Sequence, residues 1–121
     1  MKRESRNIPF ACPIEATLGL IGGKWKTLIL DNLTDGTLRF GELQKCMPRI
    51  TPKMLTQQLR ELEEDGLVSR RVFPVVPPKV EYELTEFGQT VRPILTEMRD
   101  WGVHIWTGKK SLQIHSKGIY W

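Results

Sequence analysis

The stretch "RITPKMLTQQLRELEEDGLVSRRVFPVVPPKVEYELT", Arg49 to Thr85, predicts one helix, a turn and two strands. Thr51 is a favoured helix-capping residue, and Pro52 is well suited to the first position of a helix. Beyond the helix, the apolar residues change from a period of about 3.6 to a period of about 2, in two alternating runs joined by a proline-rich segment. We therefore expect a helix over residues 51–65 and a hairpin over residues 67–84.

Charge is sorted unevenly along this part of the chain. Residues 43–60 and 66–80 contain no acid and together carry +7, whereas the whole chain carries +4, so the remainder carries −3. A single charged run is usually a solvated face. Two acid-free basic runs on adjacent elements are instead typical of a surface that meets nucleic acid. We interpret the acids between them as a helix end that points away from the phosphates: Glu61, Glu63, Glu64 and Asp65.

The helix over residues 51–65 has a core side and an outward side. Leu55, Leu59 and Leu62 recur at helical spacing and mark the core side. A shorter helix is expected over residues 39–47, and the pair forms a helix-turn-helix, whose second helix enters the DNA major groove by its N-terminal part. The outward face of this second helix carries Lys53, Thr56, Gln57 and Arg60 before its acidic end.

The hairpin is interpreted as a wing that follows the DNA backbone or enters the minor groove. Arg60 of the preceding helix could read a base or contact a phosphate. Either arginine of the wing could instead pair with Glu81 or Glu83 across the hairpin. The candidate DNA contacts are Arg49, Thr51, Lys53, Thr56, Gln57, Arg60, Arg70, Arg71 and Lys79.

Apolar stripes lie on the helices that flank this region. One helix is expected to begin at Pro13, and a long last helix is expected over residues 86–106 with a kink at Pro93. Their stripes offer more apolar surface than a small core needs, which favours a two-fold homodimer; closure of the monomer core is the alternative. The candidate interface residues are Ile14, Leu18, Ile21, Val91, Leu95, Met98 and Trp101.

The chain of 121 residues suits one domain over residues 12–106, with a flexible arm over 1–11 and a basic tail over 107–121. No apolar run nears the length of a membrane span and no secretory signal is visible, so we expect a cytoplasmic protein. No catalytic grouping or metal-ligand spacing stands out. We therefore expect a protein that is not an enzyme and that needs no cofactor or metal.

Five motifs carry a resemblance to a known family. They are "CPIEATLGLIGGKWKTLIL", "LRFGELQKCMPRIT", "MLTQQLRELEEDGLV", "VPPKVEYELTEFG" and "DWG", which occur in this order between Cys12 and Gly102. With these motifs the chain resembles the HxlR-type transcriptional regulators, winged-helix relatives of the MarR group. Arg49 departs from the family pattern, which more often has glycine in this turn.

The resemblance implies a fold and a mode of action. The fold is of the α+β class, mainly α: a winged helix-turn-helix with a two-stranded wing and with N- and C-terminal dimerisation helices. The resemblance implies a homodimer on double-stranded, pseudo-palindromic operator DNA. A winged helix that only binds proteins is the alternative, because such modules also exist. An enzyme built on a cysteine would need a base near the thiol, and the sequence shows none.

Cys12 and Cys46 are candidates for redox sensing. Cys12 precedes Pro13 at a helix N-terminus, where positive partial charge favours a thiolate, and Cys46 ends the short helix before the DNA-reading turn. In some family members a cysteine at the first position resembles a sensor of oxidants or electrophiles, whereas others carry it without such a role. A disulfide from Cys12 of one subunit to Cys46 of the other is one form of this hypothesis; structural roles for both thiols are the alternative. The effector, if there is one, would be an oxidant or a small molecule.

Overall fold

The computed structural model describes residues 10–112, with side chains as far as residue 107. It shows the predicted order of helix, turn, helix and hairpin, with further helices on either side. The mainly helical α+β class and the winged helix-turn-helix are thereby confirmed. The elements are α1 Pro13–Ile21, α2 Lys26–Leu33, β1 Leu38–Arg39, α3 Phe40–Cys46, α4 Pro52–Glu64, β2 Val68–Phe73, β3 Lys79–Leu84, α5 Glu86–Gln89 and α6 Arg92–Leu112.

The sheet has three antiparallel strands in the order β1-β3-β2. The predicted two-stranded wing is β2 and β3, paired from Val68 opposite Leu84 to Phe73 opposite Lys79. β1 adds a short third strand by pairing Leu38 with Tyr82 of β3. Sequence analysis missed β1 because a strand this short shows no period that can be recognised.

The core of the winged helix collects one apolar side from each helix around the sheet. The leucines of α4 point inward as predicted, and the helical stripe of α2 meets them. These side chains are almost completely removed from water, which is the main favourable contribution to the stability of a small domain. The fully buried aliphatic residues are Ile29, Leu30, Leu43, Leu55, Leu59, Leu62 and Val68.

The end of α4 is joined to the start of α5 by a compact set of contacts. Gly66 adopts a left-handed φ of 82°, as expected of the residue after a helix end. The Thr85 hydroxyl donates to the Gly66 carbonyl oxygen at 2.5 Å and accepts from the Gly88 N–H at 2.9 Å. A Cβ at Gly88 would lie 2.1 Å from the Leu67 carbonyl oxygen, so only glycine allows this approach.

The last helix differs from the prediction of one kinked helix over residues 86–106. The chain forms two helices there, because α5 ends at Gln89 and α6 begins at Arg92. Pro93 is the reason: its ring clashes with the carbonyl group four residues earlier, so a helix cannot run through it without distortion. α6 also continues to Leu112, so the predicted tail over residues 107–121 is helical where the structure describes it.

By compactness the described residues divide after Val91, so α6 forms a unit of its own. The single domain predicted over residues 12–106 therefore includes two compact units. The predicted arm over residues 1–11 lies almost entirely outside the described residues, and so does the tail beyond residue 112.

Candidate nucleic-acid interface

The turn between α3 and α4 is held by contacts from both sides. The side-chain N–H of Gln44 donates to the Ile50 carbonyl oxygen at 2.6 Å, and the Ile50 N–H donates to the Met47 carbonyl oxygen at 3.2 Å. Met47 and Ile50 are themselves buried. The two helices of the helix-turn-helix are thus set at a defined angle by polar and apolar contacts within the turn, while Arg49 between them is exposed.

The start of α4 is capped as predicted. The Thr51 hydroxyl accepts from the Met54 N–H at 3.1 Å, which pairs one of the N–H groups that a helix N-terminus leaves free. The Thr56 hydroxyl donates to the Pro52 carbonyl oxygen at 2.9 Å. Both threonines remain exposed, and each hydroxyl oxygen keeps a lone pair for a further donor. The Thr51 hydroxyl therefore keeps its O–H to donate to a phosphate, whereas the Thr56 hydroxyl already uses its O–H and is left to accept a hydrogen bond or to make van der Waals contact.

The outward face of α4 carries side chains without partners in the protein. Lys53, Gln57 and Arg60 are exposed, and within residues 10–107 they make no hydrogen bond or ion pair. Arg49 in the preceding turn is exposed in the same way. The structure therefore leaves these polar groups available to an external ligand, as the sequence analysis required.

The acids at the end of α4 have a different explanation from the one predicted. Glu61 forms an ion pair of 2.5 Å with Lys26 of α2, and the lysine side chain is only 8% exposed. Asp65 is also buried. Packing within the protein therefore accounts for the positions of these two residues, and only Glu63 and Glu64 form an exposed acidic surface.

The two arginines of the wing have opposite surroundings. Side chains alternate across a strand, so Arg70 and Arg71 point to opposite faces of the sheet. Arg71 forms an ion pair of 3.2 Å with Glu83, which also accepts from the Thr37 hydroxyl at 3.1 Å. The pairing considered in the sequence analysis is thus formed by Arg71, while Arg70 makes no ion pair with any described residue.

Lys79 of β3 is also engaged within the wing. Its ammonium group lies 3.4 Å from the Glu81 carboxylate and 4.6 Å from the centre of the Phe73 ring. These contacts are partly exposed and so contribute little stability. They nevertheless mean that a phosphate would compete with an existing partner at Lys79, whereas at Arg70 it would not.

Arg70 borders a cleft between α4 and the wing. Its cross-strand neighbour is Tyr82, so the two side chains share the sheet face that packs on α4. The cleft has a volume of about 330 Å³. Its lining residues are Thr56, Arg60, Glu63, Arg70 and Tyr82.

The candidate dimer residues fall into two groups. Ile14 and Leu18 of α1 are 71% and 61% exposed, and on α6 Met98 and Trp101 are 47% and 67% exposed. The other members of the predicted interface are buried in this chain and so are not part of these exposed faces. These residues are Ile21, Val91 and Leu95.

Both cysteine thiols are free and exposed. Cys12 is the N-cap residue of α1 and makes no capping hydrogen bond with its side chain. Cys46 is the last residue of α3, so the alternative in which it fills the core as a small hydrophobic residue is wrong. Each thiol can therefore be reached from solvent.

The described residues contain no group of three or more side chains able to hold a metal ion. None of the helices in this part of the chain combines the length and the apolar character that a membrane span requires.

Comparisons with known proteins agree with this geometry. The HxlR-like helix-turn-helix family matches residues 20–110. The chain belongs to this family. YdeP of Bacillus subtilis (strain 168), an uncharacterised HTH-type transcriptional regulator, is 58% identical over 91 residues, which are 75% of this chain and 71% of YdeP.

Solved structures of HxlR-like fold give the same result. The redox regulator HypR in its oxidised form is 55% identical with a TM-score of 0.75, over 77% of this chain and 96% of the HypR chain. The reduced form of the transcriptional regulator YodB from B. subtilis is 41% identical with a TM-score of 0.67, over 76% and 91% of the two chains. These relatives are transcriptional regulators rather than enzymes.

Several residues of this HxlR-like chain were missed by sequence reasoning. From the neighbouring residues alone, Lys26 would be taken for an exposed lysine, Gln44 for a solvated helix residue and Tyr82 for an ordinary strand residue. Ile94 lies one turn before Met98 and two turns before Trp101, so helical spacing could have identified it as part of their exposed face. The roles of the other three depend on residues distant in sequence.

Proposed function

We propose that this HxlR-like protein is a homodimer that binds double-stranded operator DNA in a sequence-specific manner and regulates transcription. α4 is the recognition helix and enters the major groove by its N-terminal part. The β2–β3 wing lies along the DNA backbone or in the adjacent minor groove. The Cys12 thiol makes the protein responsive to oxidants or electrophiles.

The unpartnered polar face of α4 carries this proposal. Lys53 and Gln57 lie one helical turn apart, both exposed and both near the capped N-terminus. A glutamine can bond to adenine through both the oxygen and the N–H of its side-chain amide, and a lysine can donate to guanine or to a phosphate. A helix face that only meets solvent does not require basic and amide side chains without acids among them, whereas a helix that docks on a polyanion does.

The exposed apolar faces of α1 and α6 support a homodimer. Each helix separately shows large apolar side chains at helical spacing that are 41% to 71% exposed. A contiguous apolar face is unusual on a monomer and typical of an interface. A two-fold dimer presents two copies of α4, so the operator would be pseudo-palindromic, with half-sites one helical turn of DNA or a multiple of it apart.

Selection from a random duplex library followed by affinity measurements tests the DNA-binding part. We expect one enriched pseudo-palindromic sequence, with binding that weakens steeply as potassium chloride increases. Gln57→Ala should cost about 1–3 kcal/mol on the selected duplex and little on a scrambled duplex. Gln58→Ala, one position along and off the outward face, is the matched control and should leave the preference unchanged. No enrichment would favour the protein-interaction module instead.

A redox response is supported by the exposure of both thiols and by the similarity to HypR, a redox regulator. We propose that Cys12 of one subunit and Cys46 of the other form a disulfide. Two thiols that join in this way lose two protons and two electrons, which the oxidant accepts. The resulting bond would tie α1 of one subunit to the helix that precedes the recognition helix of its partner.

Diamide, which accepts two electrons and two protons as its nitrogen–nitrogen double bond is reduced, is a suitable oxidant for this test. We expect a covalent dimer on non-reducing gels and a changed operator affinity, both reversed by dithiothreitol. Cys12→Ser should abolish both effects. If Cys12→Ser responds to diamide as the unaltered protein does, the redox proposal is wrong and the DNA-binding proposal is unaffected.

A further inference from the structure

The cleft between α4 and the wing has the composition of an anion site. Two arginines border it, one from each element: Arg60 from the helix and Arg70 from β2. Neither guanidinium group makes an ion pair with a described residue, although Glu63 borders the same cleft. Both arginines are exposed, so each guanidinium group can meet an anion that enters the cleft.

Tyr82 supplies a polar group inside the cleft. Tyr82 as a residue is 9% exposed, and its hydroxyl, which makes no hydrogen bond to any group within residues 10–107, still reaches solvent. A tyrosine hydroxyl that makes no hydrogen bond within the protein can donate its O–H to a ligand. A ligand in the cleft would provide that partner, with the Tyr82 O–H as donor and the two guanidinium groups on either side.

We propose that this cleft binds one phosphodiester of the DNA backbone, shared between Arg60 of the recognition helix and Arg70 of the wing. The inference rests on the proposed DNA binding and adds a defined contact to it. Arginine binds phosphate through two parallel N–H donors, and tyrosine hydroxyls also donate to backbone phosphates. The shared phosphate would hold the recognition helix and the wing in register on one strand of the duplex.

The position of Arg60 on α4 decides between a phosphate and a base. Arg60 lies beyond the N-terminal part of the helix and on the side that borders the wing, whereas Lys53 and Gln57 lie nearer the end that enters the groove. Arg60 therefore contacts the backbone at the edge of the groove. Base recognition is left to Lys53, Gln57 and the residues around them.

Glu63 provides a test in which DNA affinity should rise and not fall. Its carboxylate borders the cleft and repels a phosphate placed there, so its removal should strengthen binding to any duplex. Glu63→Gln keeps the size of the side chain and removes the charge. We expect affinity to rise about threefold on the selected and scrambled duplexes alike, with Glu64→Gln, which is outside the cleft, giving a smaller change.

The main experiment is a double-mutant cycle on the intact dimer. Arg60→Ala and Arg70→Ala should each lower affinity on the order of tenfold on both duplexes and reduce the salt slope by about 1. Because both groups hold the same phosphate, the double variant should lose little more than either single variant. Arg71→Ala, on the opposite face of β2 and paired with Glu83, is the matched control. In the variant that combines it with Arg60→Ala, the fold losses of affinity of the two single variants should multiply.

Neutral methylphosphonate groups, placed one at a time in the selected duplex, locate the contact. One position in each half-site should weaken binding of the unaltered protein and have no effect on the double variant. Arg60→Lys and Arg70→Lys keep the charge but lose the paired donors, so they should lose affinity in part while unfolding at the same temperature.

The outcomes separate this inference from the proposed function. A loss for Arg60→Ala on the selected duplex alone would assign Arg60 to a base and overturn the shared phosphate, while DNA binding would stand. Losses that multiply in the double variant would place the two arginines on different phosphates, and this also overturns the inference. A protein that binds no duplex at all would end both proposals.

Discussion

Lys26 of α2 and Glu61 of α4 form an ion pair of 2.5 Å, with side-chain exposures of 8% and 28%. The pair joins residues 35 positions apart and fixes the inner side of α4 to the body of the winged helix. The same helix thus carries cations on its outward face for a ligand and an acid on its inner side for a structural lysine.

The ion pair predicts that removal of Glu61 and removal of Lys26 lower the free energy of unfolding by different amounts. Because Lys26 is the more buried member, Glu61→Ala strands an ammonium group and should cost about 3 kcal/mol in the free energy of unfolding. Lys26→Ala leaves a carboxylate that reaches water, so the cost should be smaller. Urea denaturation of both variants and of Glu63→Ala, an exposed control, gives the three losses in the free energy of unfolding and so their order. Equal costs for all three would show that the pair contributes nothing.

Substitutions at Thr51 should affect stability and DNA binding differently. Thr51→Ala removes the cap of α4 and should cost about 1 kcal/mol of stability, whereas Thr51→Ser keeps the hydroxyl and should cost little. Thr51→Asp keeps a capping oxygen and places a negative charge at the helix N-terminus. We therefore expect normal stability and weakened DNA binding for this last variant. Unchanged affinity for Thr51→Asp would remove Thr51 from the interface.

Gly88 predicts a steric cost at the junction of α4 and α5. A Cβ there would meet the Leu67 carbonyl oxygen at 2.1 Å and the Leu84 side chain at 3.4 Å. Gly88→Ala should therefore destabilise the protein by about 1–3 kcal/mol in thermal or urea unfolding. Gly41→Ala, where a Cβ meets nothing within 4 Å in a helix, is the control and should stabilise by about 0.5–1 kcal/mol.

The exposed face of α1 predicts the oligomeric state. Leu18→Arg places a charge in the proposed interface, so we expect sedimentation equilibrium to show a shift from dimer to monomer and operator affinity to fall with it. The fold should be retained, because Leu18 is exposed in the single chain. Val76→Arg at the wing tip, which is 99% exposed, is the control and should remain dimeric. A dimeric Leu18→Arg variant would place the interface elsewhere.

Local signals in the chain were sufficient for the order of the first four helices and the two strands of the hairpin, and for most of their ends. Thr51, Gly66 and Thr85 act on N–H and C=O groups within a few positions of themselves, so the helix ends could be predicted from the residues alone. The outward face of α4 followed from the spacing of its leucines. Pro93 signalled a disturbance, but the extent of it, a complete break between two helices, also depends on how Thr90 and Val91 close α5.

Sequence alone also placed the chain in its class, because a helical period followed by a strand period and two acid-free windows are properties of neighbouring residues. Only the tertiary structure showed that Lys26 reaches Glu61, that Arg71 is paired while Arg70 is not, and that Tyr82 opens into a cleft beside Arg60. The physical reason is distance along the chain. A partner many residues away is determined by how helices and strands pack, and no local pattern records that packing.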